Sequence, residues 1–236
     1  KWYKERQELQ ANKKKATDPE EIAFWDKRQL VRKILLNSTY GAICNPGSRF
    51  FDHRIGQSTT LTGRAITKHM GAETNKMLTG EYDHTGETIV YGDTDSVYFS
   101  ADKVSKEQNL ELDMDSAITL YDNISDTVSD TFPQFAKEAF NVQSASGKIL
   151  KAGREVVGRA GLFITKKRYA INVLDLEGYQ PEGGKLKVMG LDIKRSDTPE
   201  FVQDFLSEVL LKTLNGESES KVLESVREFK NELVSI

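Results

Sequence analysis

Tyr91-Gly92-Asp93-Thr94-Asp95-Ser96 is the stretch on which the reading of this chain turns, because it sets two carboxylates one residue apart between short apolar runs. Ile89 and Tyr91 upstream, and Val97 and Phe99 downstream, alternate with polar or small neighbours. That two-residue period predicts a half-buried strand on each side. Gly92 and Asp93 are turn formers, so the expected structure is a hairpin turning at this pair, with Asp93 and Asp95 sharing its tip. Neighbouring carboxylates repel unless a cation lies between them. Hard oxygen donors of this kind suit Mg²⁺, which is commonly held by a few carboxylates together with substrate phosphates. A bare DxD is more often only a solvated turn, so the rest of the chain has to decide.

The 236 residues are 38% hydrophobic and 29% charged, ordinary for a soluble globular protein with a sizeable core. No run approaches the roughly 18 apolar residues of a membrane span, and no secretory signal precedes the first helical pattern. Cys44 is the single cysteine, so no internal disulfide forms; this fits a reducing compartment, and its helix-like apolar setting predicts a packing role. Lys1 stands where a translated chain would have Met, so a processed, trimmed or excised piece is expected. The net charge of −3 hides a partition. Residues 1–40 carry 10 basic against 6 acidic groups, residues 141–199 carry 11 against 6, and residues 81–140 carry 3 against 14. Two positive segments flanking an acidic one suit phosphates gripped around a metal centre, although solvated acidic helices give the same count.

Helical patterns are expected over Trp2 to about Ala16 and Glu20 to about Ile43, with Asp18 as N-cap, Pro19 at the first helical position and Glu21 completing a capping box. Further helices are predicted over about Gly56 to Leu78, over Asp113 to about Asp130 with a stop near Pro133, and over two final segments, Pro199 to Leu214 and Glu219 to Val234. Between Lys148 and Met189 the Val, Ile and Gly content predicts several short strands. The fold class is therefore α+β, with helices packed on an antiparallel sheet. Within the second helix, Lys33, Asn37 and Tyr40 fall at i, i+4 and i+7, placing an ammonium, an amide and a phenol on one face. Arg6, on the preceding helix, could add a guanidinium fork to the same phosphates.

Three motifs carry a resemblance. Lys33-Ile34-Leu35-Leu36-Asn37-Ser38-Thr39-Tyr40-Gly41 resembles the KxxxNSxYG fingers motif of family B DNA polymerases, Tyr91 to Ser96 their YxDTDS palm motif, and Lys166-Lys167-Arg168-Tyr169 their KKRY primer-template motif. They occur in the family's order. Lys185 to Leu191, followed by Arg195-Ser196-Asp197-Thr198-Pro199, is similar to the palm-to-thumb passage of replicative polymerases from large tailed bacteriophages, so the resemblance spans nearly the whole chain.

The resemblance implies fingers at residues 1–45, palm at 46–190 and the start of a thumb at 191–236. It implies that Asp95 ligates catalytic Mg²⁺ and that Asp93 supports activity with less direct metal contact. Lys33, Asn37 and Arg6 would hold the incoming deoxynucleoside triphosphate, with Tyr40 near the nascent base pair. Lys166, Lys167, Arg168, Tyr169 and Arg195 would meet primer-template DNA. Gln10 stands where a second basic residue is usual, with Lys13 or Lys14 as substitutes.

The family's other palm carboxylate, in a DxxSLYP segment, has no match in this chain. The expectation is a two-metal site left incomplete, inactive alone, and completed by an N-terminal polymerase segment or subunit that also brings the exonuclease. Asp175-Leu176-Glu177 is expected to be structural rather than an exonuclease pair, and His53, His69 and His84 show no zinc spacing. The alternative is a non-catalytic nucleic-acid-binding derivative, disfavoured because a pure binder needs only the basic positions. Phage origin would imply the cytoplasm of an infected bacterium, with no membrane partner.

Overall fold

Asp18 starts the second helix once the first has ended. Its carboxylate accepts the Glu21 N–H at 3.1 Å, Pro19 follows at the first helical position, and Ala16 has already left α1 with extended backbone. A computed structural model describes residues 1–107, 113–181 and 185–235, divided into two compact units, residues 1–65 and 66–236. In the first, α1 (Trp2–Lys15) and α2 (Pro19–Cys44) form the expected hairpin. Lys13 reaches Asp26 at 2.5 Å, Arg6 Nε donates to Gln29 Oε1 at 3.4 Å, and Arg32 pairs with Glu5 at 2.7 Å, a descending series that only antiparallel helices allow. Neither helix contributes a buried residue, so this is a polar zipper on partly exposed surface. Cys44 accordingly lies exposed at the end of α2 instead of packing in a core.

The helix α3 (His53–Thr79) runs through the boundary between the units. In the second unit it is clasped to the segment before the first strand. Asn75, 1% exposed, donates to the Glu81 carbonyl at 2.9 Å and accepts the Thr88 hydroxyl at 2.7 Å. A Cβ on Gly86 would overlap that carboxamide. Gly86→Ala is expected to lower unfolding stability by about 1–3 kcal/mol, read as an earlier urea midpoint with unchanged slope.

Next come the ribbon β1 (Ile89–Asp93) and β2 (Ser96–Phe99), then α4 (Asp102–Glu107), α5 (Met114–Phe140) and α6 (Ser144–Gly147). Pro133 does not end α5, contrary to the sequence expectation. Ile124, Val128, Phe132 and Ala136 recur every fourth residue and are all buried, so the apolar stripe continues across the proline. That burial outweighs the roughly 3 kcal/mol an interior proline costs, and the helix stops only at Asn141, which is left-handed at φ +53°.

The imidazole of His69 is enclosed where α3 meets α5. Thr131 gives its hydroxyl proton to the Val128 carbonyl, so it accepts from His69 Nε2–H at 2.9 Å, and Nδ1 accepts from the Tyr82 hydroxyl at 2.8 Å. The Phe135 ring stacks on the imidazole with centroids 4.0 Å apart. Burial pushes its pKa below the ordinary value; Glu73 pulls it upward and Lys76 downward. The unfolded chain therefore binds the proton more readily, and stability falls as pH drops below about 6.5 until the folded-state value is passed. His69→Gln is expected to flatten this part of the profile, measured as the difference in thermal midpoint between pH 7 and pH 5 for the two proteins.

A meander of β3 (Val156–Thr165), β4 (Arg168–Leu176) and β5 (Lys185–Met189) follows, ordered β3-β4-β5 and antiparallel throughout. Residues 169–173 of the central strand are all buried, which requires cover on both faces. On one face Ala170 packs with Val188, Leu191, Ile193 and Leu214, the last from α7 (Glu200–Leu214). On the other, Tyr169, Ile171 and Val173 meet Tyr91 and Tyr98 of the acidic ribbon. The helix α8 (Glu219–Ser235) ends the described chain, its Phe229 ring stacked on Phe205 of α7. The architecture is α+β, and among the described residues no helix is long and apolar enough to cross a membrane.

Candidate metal and nucleic-acid site

The acidic hairpin turns later than its glycine suggests. Gly92 pairs with Val97 and Asp93 with Ser96, leaving Thr94-Asp95 as the two-residue turn. Turn propensity put the bend at Gly92-Asp93, but the aromatic register overrides it: Tyr91 pairs with Tyr98, and both rings seat on the larger sheet. Thr94 takes the strain at φ +34°, unusual for a β-branched residue. Thr67 of α3 fixes it by donating its hydroxyl to the Thr94 carbonyl at 2.9 Å.

Asp93 and Asp95 therefore do not share one environment. Asp93 ends β1 half-buried, whereas Asp95 stands exposed in the turn, without an ion pair or hydrogen bond among the described residues. Lys167 reaches Asp93 at 3.0 Å and holds its carboxyl below the usual carboxylate range, while Asp93 raises the Lys167 ammonium in return.

Lys167 arrives there through its own turn. Thr165 pairs with Arg168, so Lys166-Lys167 link β3 to β4, and Lys167 adopts φ +63°. Its backbone N–H donates to the Tyr91 hydroxyl at 2.7 Å, and its carbonyl abuts Gly190, where a Cβ would overlap it. Beneath this contact Tyr91, Tyr98, Phe163 and Tyr169 form a ring cluster with centroids 5.4 to 5.9 Å apart. Burial, then the Tyr169 hydroxyl 3.1 Å away, drives the Tyr98 phenol well above its ordinary pKa. Two motifs more than seventy residues apart are thus locked together, with three exposed cations, Lys166, Lys167 and Arg168, at the rim.

Other candidates sit less as expected. Tyr169 is 7% exposed and faces the ring cluster rather than the surface. Arg195 forks onto Asp197 at 2.8 and 2.7 Å, so its guanidinium is already engaged. In the first unit, Lys33 and Asn37 are exposed on α2, and Tyr40 lines a cavity of about 300 Å³ with Phe51 and His53. Arg6 is tied to Gln29, and Lys13 is occupied by Asp26, leaving Lys14 as the exposed cation near Gln10. Asp175 is structural: 2% exposed, it faces Arg154, whose Nε also meets Asp122 at 2.6 Å. Neither Lys167 nor the Arg154 network was foreseen as a partner of these acids; a basic turn following a strand gives no signal of what it will dock against.

Whether these residues suit a divalent cation depends on the donors. Asp95 is an exposed, unengaged hard-oxygen ligand, as Mg²⁺ requires, yet no three His, Cys, Asp or Glu gather into a metal-holding group among the described residues. The described residues therefore offer a donor of the type Mg²⁺ takes but not a full set of ligands.

The structure thus presents an α+β scaffold with an acidic hairpin beside a cationic turn, and comparison with known sequences says which family carries it. A model of DNA polymerase family B matches residues 1–236, and the chain belongs to this family. It is 32% identical over 198 residues to the DNA-directed DNA polymerase of Escherichia phage RB69, covering 79% of this chain and 22% of that protein. It is 30% identical over 216 residues to that of Enterobacteria phage T4 (86% and 24%), and 26% identical over 227 residues to DNA polymerase 1 of Pyrococcus abyssi (95% and 24%). The chain thus spans less than a quarter of the length of these relatives.

Proposed function

We propose that this chain supplies the fingers, palm and initial thumb of a template-directed DNA polymerase, at residues 1–45, 46–190 and 191–236, joining deoxynucleotides to a primer 3′ end. The observation that carries this reading is the docking of the Lys166-Lys167 turn onto the acidic hairpin through Tyr91 and Asp93. It puts cations suited to a nucleic-acid backbone next to a carboxylate suited to a metal, which a pure binding module has no reason to retain.

Mg²⁺ held by Asp95 and a further carboxylate would neutralise charge on the reacting phosphate. Asp93 acts through Lys167, fixing the basic turn against the ribbon. Tyr169 acts from below by supporting that turn, while Lys166 and Arg168 face the duplex backbone. Lys33, Asn37 and Arg6 bind and orient the triphosphate, Tyr40 borders the nascent pair, and Arg195 meets the primer backbone once released from Asp197. With one carboxylate free, the chain alone does not organise two metal ions; a further polymerase segment completes the site.

Binding is testable without catalysis. Lys166→Ala is expected to weaken binding of a primer-template duplex to the same degree for every sequence and to lower the slope of log K against log salt by about one. Fluorescence anisotropy over a salt series measures both; an unchanged affinity and slope would remove Lys166 from the interface.

A further inference from the structure

Asp95 makes no ion pair or hydrogen bond among the described residues, so no side-chain partner fixes where its carboxylate points, and the backbone it leaves has to do so. A peptide unit is planar, and the Thr94 carbonyl lies in the same plane as the nitrogen and Cα of Asp95. Whatever holds that carbonyl holds the base of the Asp95 side chain. The plane is under strain, because Thr94 sits at φ +34°, a conformation a β-branched residue keeps only where its surroundings enforce it. Two hydrogen bonds at the turn stay inside the ribbon and move with it: the Thr94 hydroxyl donates to the Asp93 carboxylate at 3.1 Å, and the Ser96 hydroxyl to the Asp93 carbonyl at 3.3 Å. Lys167 reaches Tyr91 and Asp93 on β1, upstream of the turn. Among the described residues, the bond that reaches Thr94 from another element comes from α3, where the Thr67 hydroxyl donates to its carbonyl at 2.9 Å.

We infer that Thr67 is a positioning residue for Asp95: by holding the Thr94 carbonyl from α3, it fixes the plane from which the free carboxylate projects toward a divalent cation. The inference rests on the polymerase reading above and deepens it, adding a residue that belongs to none of the three motifs. The helix it comes from is a firm platform at this point. Ile66 and Met70, on either side of Thr67, pack against Ile124, Val128 and Phe132 of α5, and His69 is bonded at both ring nitrogens. A ligand held by a rigid, core-packed element keeps its direction better than one carried by a turn alone. The hydroxyl is the whole of the device, so the effect of losing it is separable from a change of shape: valine at this position keeps the branched outline and removes the donor, whereas serine keeps the donor and removes a methyl group.

Amide nitrogen NMR relaxation of the chain, Thr67→Val and Thr67→Ser tests the pin without metal or catalysis. The order parameters of Thr94 and Asp95 are expected at about 0.85 in wild type and in Thr67→Ser, and below about 0.6 in Thr67→Val. The same variants are then made in a polymerase assembled with all its segments. There Thr67→Val is expected to lower kcat about tenfold while the KM for deoxynucleotide stays within about twofold, because the residues proposed to hold the triphosphate lie on α1 and α2, and Thr67→Ser is expected to recover most of the rate. Unchanged order parameters in Thr67→Val, or equal loss of rate in the two variants, would overturn the inference. Incorporation by the assembled wild type that Thr67→Val leaves untouched would overturn it too, with the polymerase reading intact. Loosening of the turn in Thr67→Val together with no incorporation by the assembled wild type would support the pin and count against the polymerase reading.

Discussion

In a polymerase assembled with all its segments, Asp95→Asn is expected to slow nucleotide incorporation by about a thousandfold, near 4 kcal/mol of transition-state stabilisation, while leaving the melting temperature essentially unchanged. The two halves of that expectation come from one observation. Asp95 occupies an exposed two-residue turn and makes no ion pair or hydrogen bond among the described residues, so the fold loses almost nothing when its charge goes. That freedom is what the proposed metal role requires of Asp95. Asp93→Asn is expected to behave differently, with a smaller loss of rate, because this side chain spends its charge on Lys167. That pair is exposed on the lysine side, so its removal should also move stability little. Single-turnover incorporation and thermal melts of both variants separate the two acids; equal rate losses would contradict the division of roles.

Arg154→Met should be the most damaging change to the fold, costing about 3–5 kcal/mol. Arg154 is 11% exposed and bonds Asp175, itself 2% exposed, so removing the guanidinium strands a buried carboxylate that, among the described residues, retains only the Gly178 N–H at 2.9 Å. The Asp122 arm adds little, being about half exposed. Adding Asp175→Leu to Arg154→Met is expected to restore much of the loss, since an apolar pair of similar volume carries no desolvation penalty. Urea unfolding of wild type, both single variants and the double variant gives the coupling, and simple additivity would show that the network does not act as a unit.

Much of this was legible in the residues, for reasons that can be located. The α1–α2 hairpin was readable because Asp18, Pro19 and Glu21 are local signals whose chemistry is spent within one helical turn. The family was readable from the motifs at Lys33 and Asp93 because they resemble its own in residue type, spacing and order. What failed was decided by tertiary contact. The hairpin turns at Thr94-Asp95 because Tyr91 and Tyr98 must both seat on β4, a constraint residing in residues far along the chain. The helix α5 crosses Pro133 because its stripe from Ile124 to Ala136 is wanted in the core, which local propensity does not register. Tyr169 and Arg195 were read through the resemblance, which gives no sign that the one is buried among rings and the other is paired with Asp197. The clamp between Lys167 and Asp93 had no local signature because its partners lie seventy-four residues apart.

Extension of a labelled primer-template by the purified chain, with Mg²⁺ and deoxynucleotides, tests the central claim most directly. It is run alone, with a polymerase segment carrying the other palm carboxylate, and with that segment plus Asp95→Asn. The account predicts no incorporation alone, incorporation on addition of the segment, and its loss in the variant. Incorporation by the chain alone that Asp95→Asn abolishes would contradict it, since an acid already within these residues would then be completing the metal site.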